Sequence, residues 1–84
     1  MNKVNTLYYT YIFDIRSRNA KKAIEEIKAS GFDVFYFGKY EVLAFLYDGE
    51  ENRYRYRCKT GKIVQILEKY NIGFTLISID DLEL

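Results

Sequence analysis

IEEIKASGFDVFYF (residues 24–37) and VQILEKYNIGFTLIS (residues 64–78) repeat one pattern. Each opens on an amphipathic helical run, reaches a residue suited to stopping a helix, and continues into β-branched and aromatic side chains. In the first copy Ala20, Ala23, Ile24 and Ile27 recur at helical spacing, with Lys21, Lys22, Glu25, Glu26 and Lys28 on the other faces. Gly31 is placed to take the left-handed conformation that ends a helix, and Phe32 to pack back over the last turn. In the second copy Ile63, Ile66, Leu67 and Tyr70 form the apolar stripe, Asn71 stops it, and residues 73–79 read as a strand.

Working outward, residues 6–13 (TLYYTYIF) read as a strand before the first helix, and Ser17 or Asn19 offers its N-cap. Residues 32–37 and 41–47 (EVLAFLY) read as two strands joined by a short turn at Gly38-Lys39. Asp48 to Asn52 (DGEEN) is a turn signal, after which Thr60 can cap the second helix. The order is βαββαβ. It predicts an α+β, ferredoxin-like plan: a four-stranded antiparallel sheet in the order 4-1-3-2, with two helices on one face. The 84 residues fit a single domain, 1–84, with nothing left over.

Composition removes several kinds of chemistry. The chain has no His, so a Ser-His-Asp or Cys-His nucleophile and a His-containing zinc site are excluded. One Cys, Cys58, makes neither an internal disulfide nor a four-Cys metal site and fits a reducing, cytoplasmic compartment. No run approaches the roughly 18 apolar residues of a membrane span, and no secretory leader is expected. A net charge of +1 names no partner by itself. No cofactor is expected.

The segment Asn52-Arg53-Tyr54-Arg55-Tyr56-Arg57-Cys58-Lys59 fits the plan least well. It has period two. If extended, Arg53, Arg55 and Arg57 share one face, roughly 6.7 Å apart, with Tyr54, Tyr56 and Cys58 on the other. The third strand already has two neighbours, so this segment must protrude as an arm, cover an edge, or fold into the start of the helix. The expectation is a protruding basic-aromatic arm over 53–59. Its candidate binding residues are Arg53, Tyr54, Arg55, Tyr56, Arg57 and Lys59, with Lys62 beyond. Arginine forks bind phosphate or carboxylate and tyrosines stack on bases. The competing reading is a charged edge balanced by Asp48, Glu50, Glu51, Asp80, Asp81 and Glu83.

The strands also carry too many apolar positions. A sheet covered on one side should alternate apolar and polar, yet both faces here are rich in Tyr, Phe, Leu and Ile. Two helices cannot cover both. The face carrying Tyr8, Ile12, Phe35 and Phe37 is therefore expected to meet a protein partner or a second copy in a homodimer. An RNA-recognition motif is not expected, because Lys39 to Tyr47 lacks that module's glycine and aromatic spacing.

Tyr11-Ile12-Phe13-Asp14-Ile15, followed by Arg16, Arg18, Lys21 and Lys22, resembles the start of the Cas2 family of CRISPR adaptation proteins. There a strand ends in Asp, and a basic helix and a Gly-aromatic strand follow. The likeness covers roughly residues 7–37 and implies a metal-binding role for Asp14, one from each subunit of a dimer. The family's Ser-Val-Phe-Glu stretch is replaced here by Tyr36-Phe37-Gly38-Lys39. Otherwise Asp14 caps its turn or pairs with Arg16 or Arg18. Lys59-Thr60-Gly61-Lys62 is no Walker loop, since Tyr56 and Ile63 stand where Gly and Ser or Thr are required. The resulting expectation is a small non-enzymatic binding or inhibitor protein that occupies a partner surface, for instance a phage or mobile-element anti-defence (anti-CRISPR-like) protein. The alternatives are a nucleic-acid-binding homodimer using the Arg/Tyr segment, and a Cas2-like metal nuclease.

Overall fold

The structure, a computed structural model, describes residues 9–78. Its elements are β1 (Tyr9–Asp14), α1 (Ala20–Ala29), β2 (Asp33–Tyr36), β3 (Glu41–Phe45), α2 (Arg53–Lys69) and β4 (Phe74–Ser78). The strands form one antiparallel four-stranded sheet in the order β2-β3-β1-β4. Expectations that fall on Tyr8, Asp80, Asp81 and Glu83 lie outside the described residues.

The echo between the two halves corresponds to a repeated helix ending. After α1, the N–H of Gly31 donates to the Lys28 carbonyl and that of Phe32 to the Ile27 carbonyl. After α2, Asn71 donates to Glu68 and Ile72 to Leu67. This is the paired-bond cap that needs one left-handed residue. Gly31 (φ +96°) and Asn71 (φ +62°) supply it. Each cap turns the chain back onto the sheet, where Phe32 and Ile72 join the core.

The register puts Val34, Tyr36, Val42, Ala44, Tyr11, Phe13, Phe74 and Leu76 on one face of the sheet. That face shares its core with Ala20, Ala23, Ile24 and Ile27 of α1 and Ile63, Ile66 and Leu67 of α2. Tyr11 packs edge-to-face on Phe74, with ring centroids 5.9 Å apart. Its hydroxyl meets the Thr60 hydroxyl at 3.1 Å inside the core. The opposite face carries Ile12, Leu43, Phe45, Phe35 and Ile77, together with Asp14, Glu41 and Asp33.

Two expectations are corrected. Residues 53–59 do not form an arm: they are the first two turns of α2. Asn52, not Thr60, is the N-cap, its side chain accepting from the Arg55 N–H at 2.9 Å. Thr60 lies mid-helix, where its hydroxyl donates back to the Arg57 carbonyl at 3.2 Å. The period-two pattern fails because Tyr56 and Thr60 are in phase with Ile63 and Leu67, and all four are buried. Burying that stripe outweighs the β propensity of alternating Tyr and Arg. In α1, Asn19 is the cap position but makes no side-chain cap bond; its amide instead reaches the Tyr70 carbonyl at 3.4 Å, beside the end of α2.

Thr10 lies on the face turned away from the helices, opposite Ile77 in the register, and is fully buried. Among the described residues its hydroxyl has no hydrogen-bond partner. An unsatisfied buried hydroxyl costs about 1–3 kcal/mol, and valine keeps the shape without the polar atom. Thr10→Val should therefore raise the unfolding free energy by about 1 kcal/mol, read from the urea midpoint at unchanged slope; a loss of stability would contradict this account of Thr10.

Candidate functional site

The start of α2 is built from the loop that precedes it. The Glu50 N–H donates to Asp48 Oδ1 at 3.0 Å, and the Asn52 N–H to Glu50 Oε2 at 3.1 Å. Gly49, at φ +78°, lets the chain reverse between them. The two carboxylates then converge on one cation. Lys59 Nζ lies 2.9 Å from Asp48 Oδ2 and 3.0 Å from Glu50 Oε1. Hydrogen bonding to that ammonium holds both carboxyls below their ordinary range and raises the lysine.

Tyr56 fixes the rotation of the helix. It is fully buried, and its hydroxyl donates to the Leu46 carbonyl at 2.6 Å while accepting from the Leu46 N–H at 3.2 Å. The Tyr9 carbonyl lies 3.4 Å away. Continued two residues past Tyr11 and Ala44, the β1–β3 register would set Tyr9 opposite Leu46, so the phenol closes the end of that ladder. Burial pushes its pKa up to about 12. Tyr56 therefore leaves the set of candidate binding residues and becomes a structural one.

With Tyr56 inward, the 100° step of the helix distributes the rest. Arg53 and Arg57 lie on one flank, Arg55 and Lys59 on the other, and Tyr54, Cys58 and Lys62 follow one another along the outer crest. All seven are exposed, Tyr54 by 77%. The structure thus keeps these side chains close but divides the arginines between two flanks. Lys59 is engaged by Asp48 and Glu50, and the Arg57 guanidinium lies 5.4 Å from the Tyr9 ring centre. The first turn contains no acidic residue. Arginines therefore occupy the positive end of the helix dipole, where each cation costs about 0.3–1 kcal/mol.

Charge is also divided between the layers. The strands hold only acids: Asp14, Asp33 and Glu41. The helices hold nine basic and three acidic residues. Of the open-face candidates, Phe35 and Phe37 are about half exposed and Ile12 is partly buried. Tyr36, Tyr40 and Tyr47 are also exposed and were not singled out from the sequence. Tyr47 could have been, because it alternates in phase with Leu43 and Phe45. Beside Tyr36 a shallow groove of about 360 Å³ runs along α1, lined by Ile15, Lys21, Ile24 and Lys28 among others.

Asp14 is committed to its neighbour. The Arg16 guanidinium forks onto it, with Nη2 at 2.6 Å from Oδ2 and Nε at 3.1 and 3.0 Å from the two oxygens. The Arg16 N–H adds a bond at 2.7 Å to Oδ1. These bonds, the side-chain ones foremost, hold the Asp14 carboxyl below its ordinary range. Among the described residues no group of three or more His, Cys, Asp or Glu is placed to hold a metal ion. None of their helices is long and apolar enough to cross a membrane. Comparison with protein-family models, with curated proteins and with solved structures finds no match to this chain.

The buried phenol gives a signed pH dependence. Its folded pKa, about 12, is above the unfolded value near 10. The stability it contributes is fully present below pH 10 and is lost as pH rises from about 10 through 12, by roughly 2–3 kcal/mol. Tyr56→Phe should cost about 1–3 kcal/mol at neutral pH by orphaning the Leu46 carbonyl. It should also flatten that alkaline loss, which urea denaturation across pH 9–12 measures directly.

Proposed function

We propose that this is a non-enzymatic binding protein that docks the first two turns of α2 on an acidic surface of a partner protein. The observation that carries the reading is the arginine-rich first turn of α2, with no acid in it, at the positive end of a helix dipole. Cations at that end work against the helix dipole, and a local rule broken in this way is common at functional surfaces. An anionic surface would meet the exposed guanidinium groups and the positive end of the dipole together. Acting by occupation suits a small inhibitor, for instance an anti-defence protein of a phage or mobile element. We read the architecture as ferredoxin-like, because the observed strand order is 4-1-3-2 when counted from the β4 edge.

Nucleic acid is the second reading, and Tyr54 favours it. This ring stands 77% exposed between Arg53 and Arg55, where a base could stack on it. The contact would be made by the helix and not the sheet, whose strands carry only acidic charge.

Arg55 is the third helical residue after Asn52, a position that favours Gln or Glu. Arg55→Gln should leave the melting temperature unchanged or raise it slightly. The same change should weaken partner binding about tenfold or more, since charge-assisted contacts are worth about 1.5–3 kcal/mol each. Capture of partners from the native host, with and without nuclease treatment, separates acidic protein from nucleic acid. Unchanged capture by Arg55→Gln and by the triple Arg53/Arg55/Arg57→Gln variant would end the proposal. Asp14 offers a separate check on catalysis. With its carboxylate forked by Arg16, no Mg²⁺- or Mn²⁺-dependent cleavage of DNA or RNA is expected; cleavage that disappears in Asp14→Asn would favour the Cas2-like alternative.

A further inference from the structure

Among the described residues the sheet has an open edge at β2. In the β2–β3 ladder the Phe37 N–H donates to the Glu41 carbonyl at 2.9 Å. Antiparallel pairs alternate, so Phe35 with Leu43 and Asp33 with Phe45 also exchange bonds with β3. The backbone N–H and C=O groups of Val34 and Tyr36 therefore point outward, away from the sheet. Three consecutive aromatics flank them: Phe35, Tyr36 and Phe37 are 53%, 54% and 47% exposed. Natural edges are blunted with proline, lysine, a bulge or an inward charge. Val34 to Phe37 has none of these, and only its shortness protects it.

A free edge of backbone donors and acceptors is satisfied by another strand, and Asp33-Val34-Phe35-Tyr36-Phe37 is complementary to itself. Consider a second copy paired antiparallel about a two-fold axis at Phe35. Val34 then lies opposite Tyr36 of the second copy, and the reverse, so every outward backbone group of both residues is used. Phe35 faces Phe35 in the close, non-bonded position, where aromatic cross-strand pairs are favourable. Asp33 stands opposite Phe37 of the second copy, with Lys39 of that copy on the diagonal as its counter-charge. On the helix side, Tyr36 borders the groove along α1, which leaves room for a ring beside Val34.

We infer that the protein is a two-fold dimer in which β2 pairs with β2 of a second copy, making the two four-stranded sheets one continuous eight-stranded sheet. This differs from a face-to-face dimer through Ile12, because β1 lies two strands inside the edge and takes no part. It is independent of the α2 surface, which the pairing leaves uncovered.

Light scattering of the native chain at micromolar concentration should give twice the 10.0 kDa chain mass. In a Cys58→Ser background, mild oxidation should cross-link Phe35→Cys into a covalent dimer and leave Thr75→Cys, on the opposite edge strand, monomeric. Tyr36→Pro removes an outward N–H that the β2–β3 ladder does not use and should give a folded monomer by circular dichroism and scattering. If that variant does not fold, the cross-linking pair decides alone. A monomeric native chain, equal cross-linking at 35 and 75, or a dimer dissolved by Ile12→Lys but intact in Tyr36→Pro would each overturn the inference.

Discussion

Tyr56 is the residue around which the other half of the molecule is arranged. A buried phenol is costly unless its hydroxyl is hydrogen-bonded, and here the backbone of Leu46 accepts from it and donates to it. That one seat has three effects. It closes the ladder between β1 and β3 where the strands end. It sets the phase of α2, so that Thr60, Ile63 and Leu67 fall inward behind it. And it draws the helix start back to Asn52, which brings Lys59 over the carboxylates of Asp48 and Glu50. The arginines are outward because Tyr56 is inward.

The distribution of charge follows from the same layering. Helices on one side of a sheet present their long cationic side chains to water, while the strands can hold only what fits between aromatic neighbours. The result is a basic helix layer over a sheet whose only charges are carboxylates. The helix side is therefore the more electropositive of the two, and the sheet side presents chiefly apolar groups and carboxylates. The two surfaces thus differ in chemistry and are built from different residues.

Much of this was legible in the residues, and what was not has a physical cause. The helix endings at Gly31 and Asn71 were readable because a left-handed residue followed by an apolar one is a local signal, complete within six residues. The βαββαβ order was readable because α1 obeys the helical period and β2 and β3 are short β-branched and aromatic runs set off by turn residues. Residues 53–59 obey two. Alternating Arg and Tyr fits a strand, and Tyr56, Thr60, Ile63 and Leu67 fit a helix; the choice rests on a contact with Leu46 ten residues upstream, which no local window contains. Thr60 misled for a related reason. It is a good cap residue in isolation, but its hydroxyl is used inside the core, against Tyr11. Of the candidate site, the residue identities were legible; which of them face outward was not, since that depends on the rotation Tyr56 imposes.

The outer crest of α2 has a practical consequence. Cys58 stands there, exposed, and is the chain's single thiol. It lies one turn from Tyr54 and one turn from Lys62, nearly opposite the buried stripe. A maleimide fluorophore attached at that sulfur would project into solvent beside the arginine flanks while staying clear of the sheet. The molecule thus carries its own reporter position: emission from a dye on Cys58 would register occupation of the helix surface and remain blind to events at the far edge of the sheet.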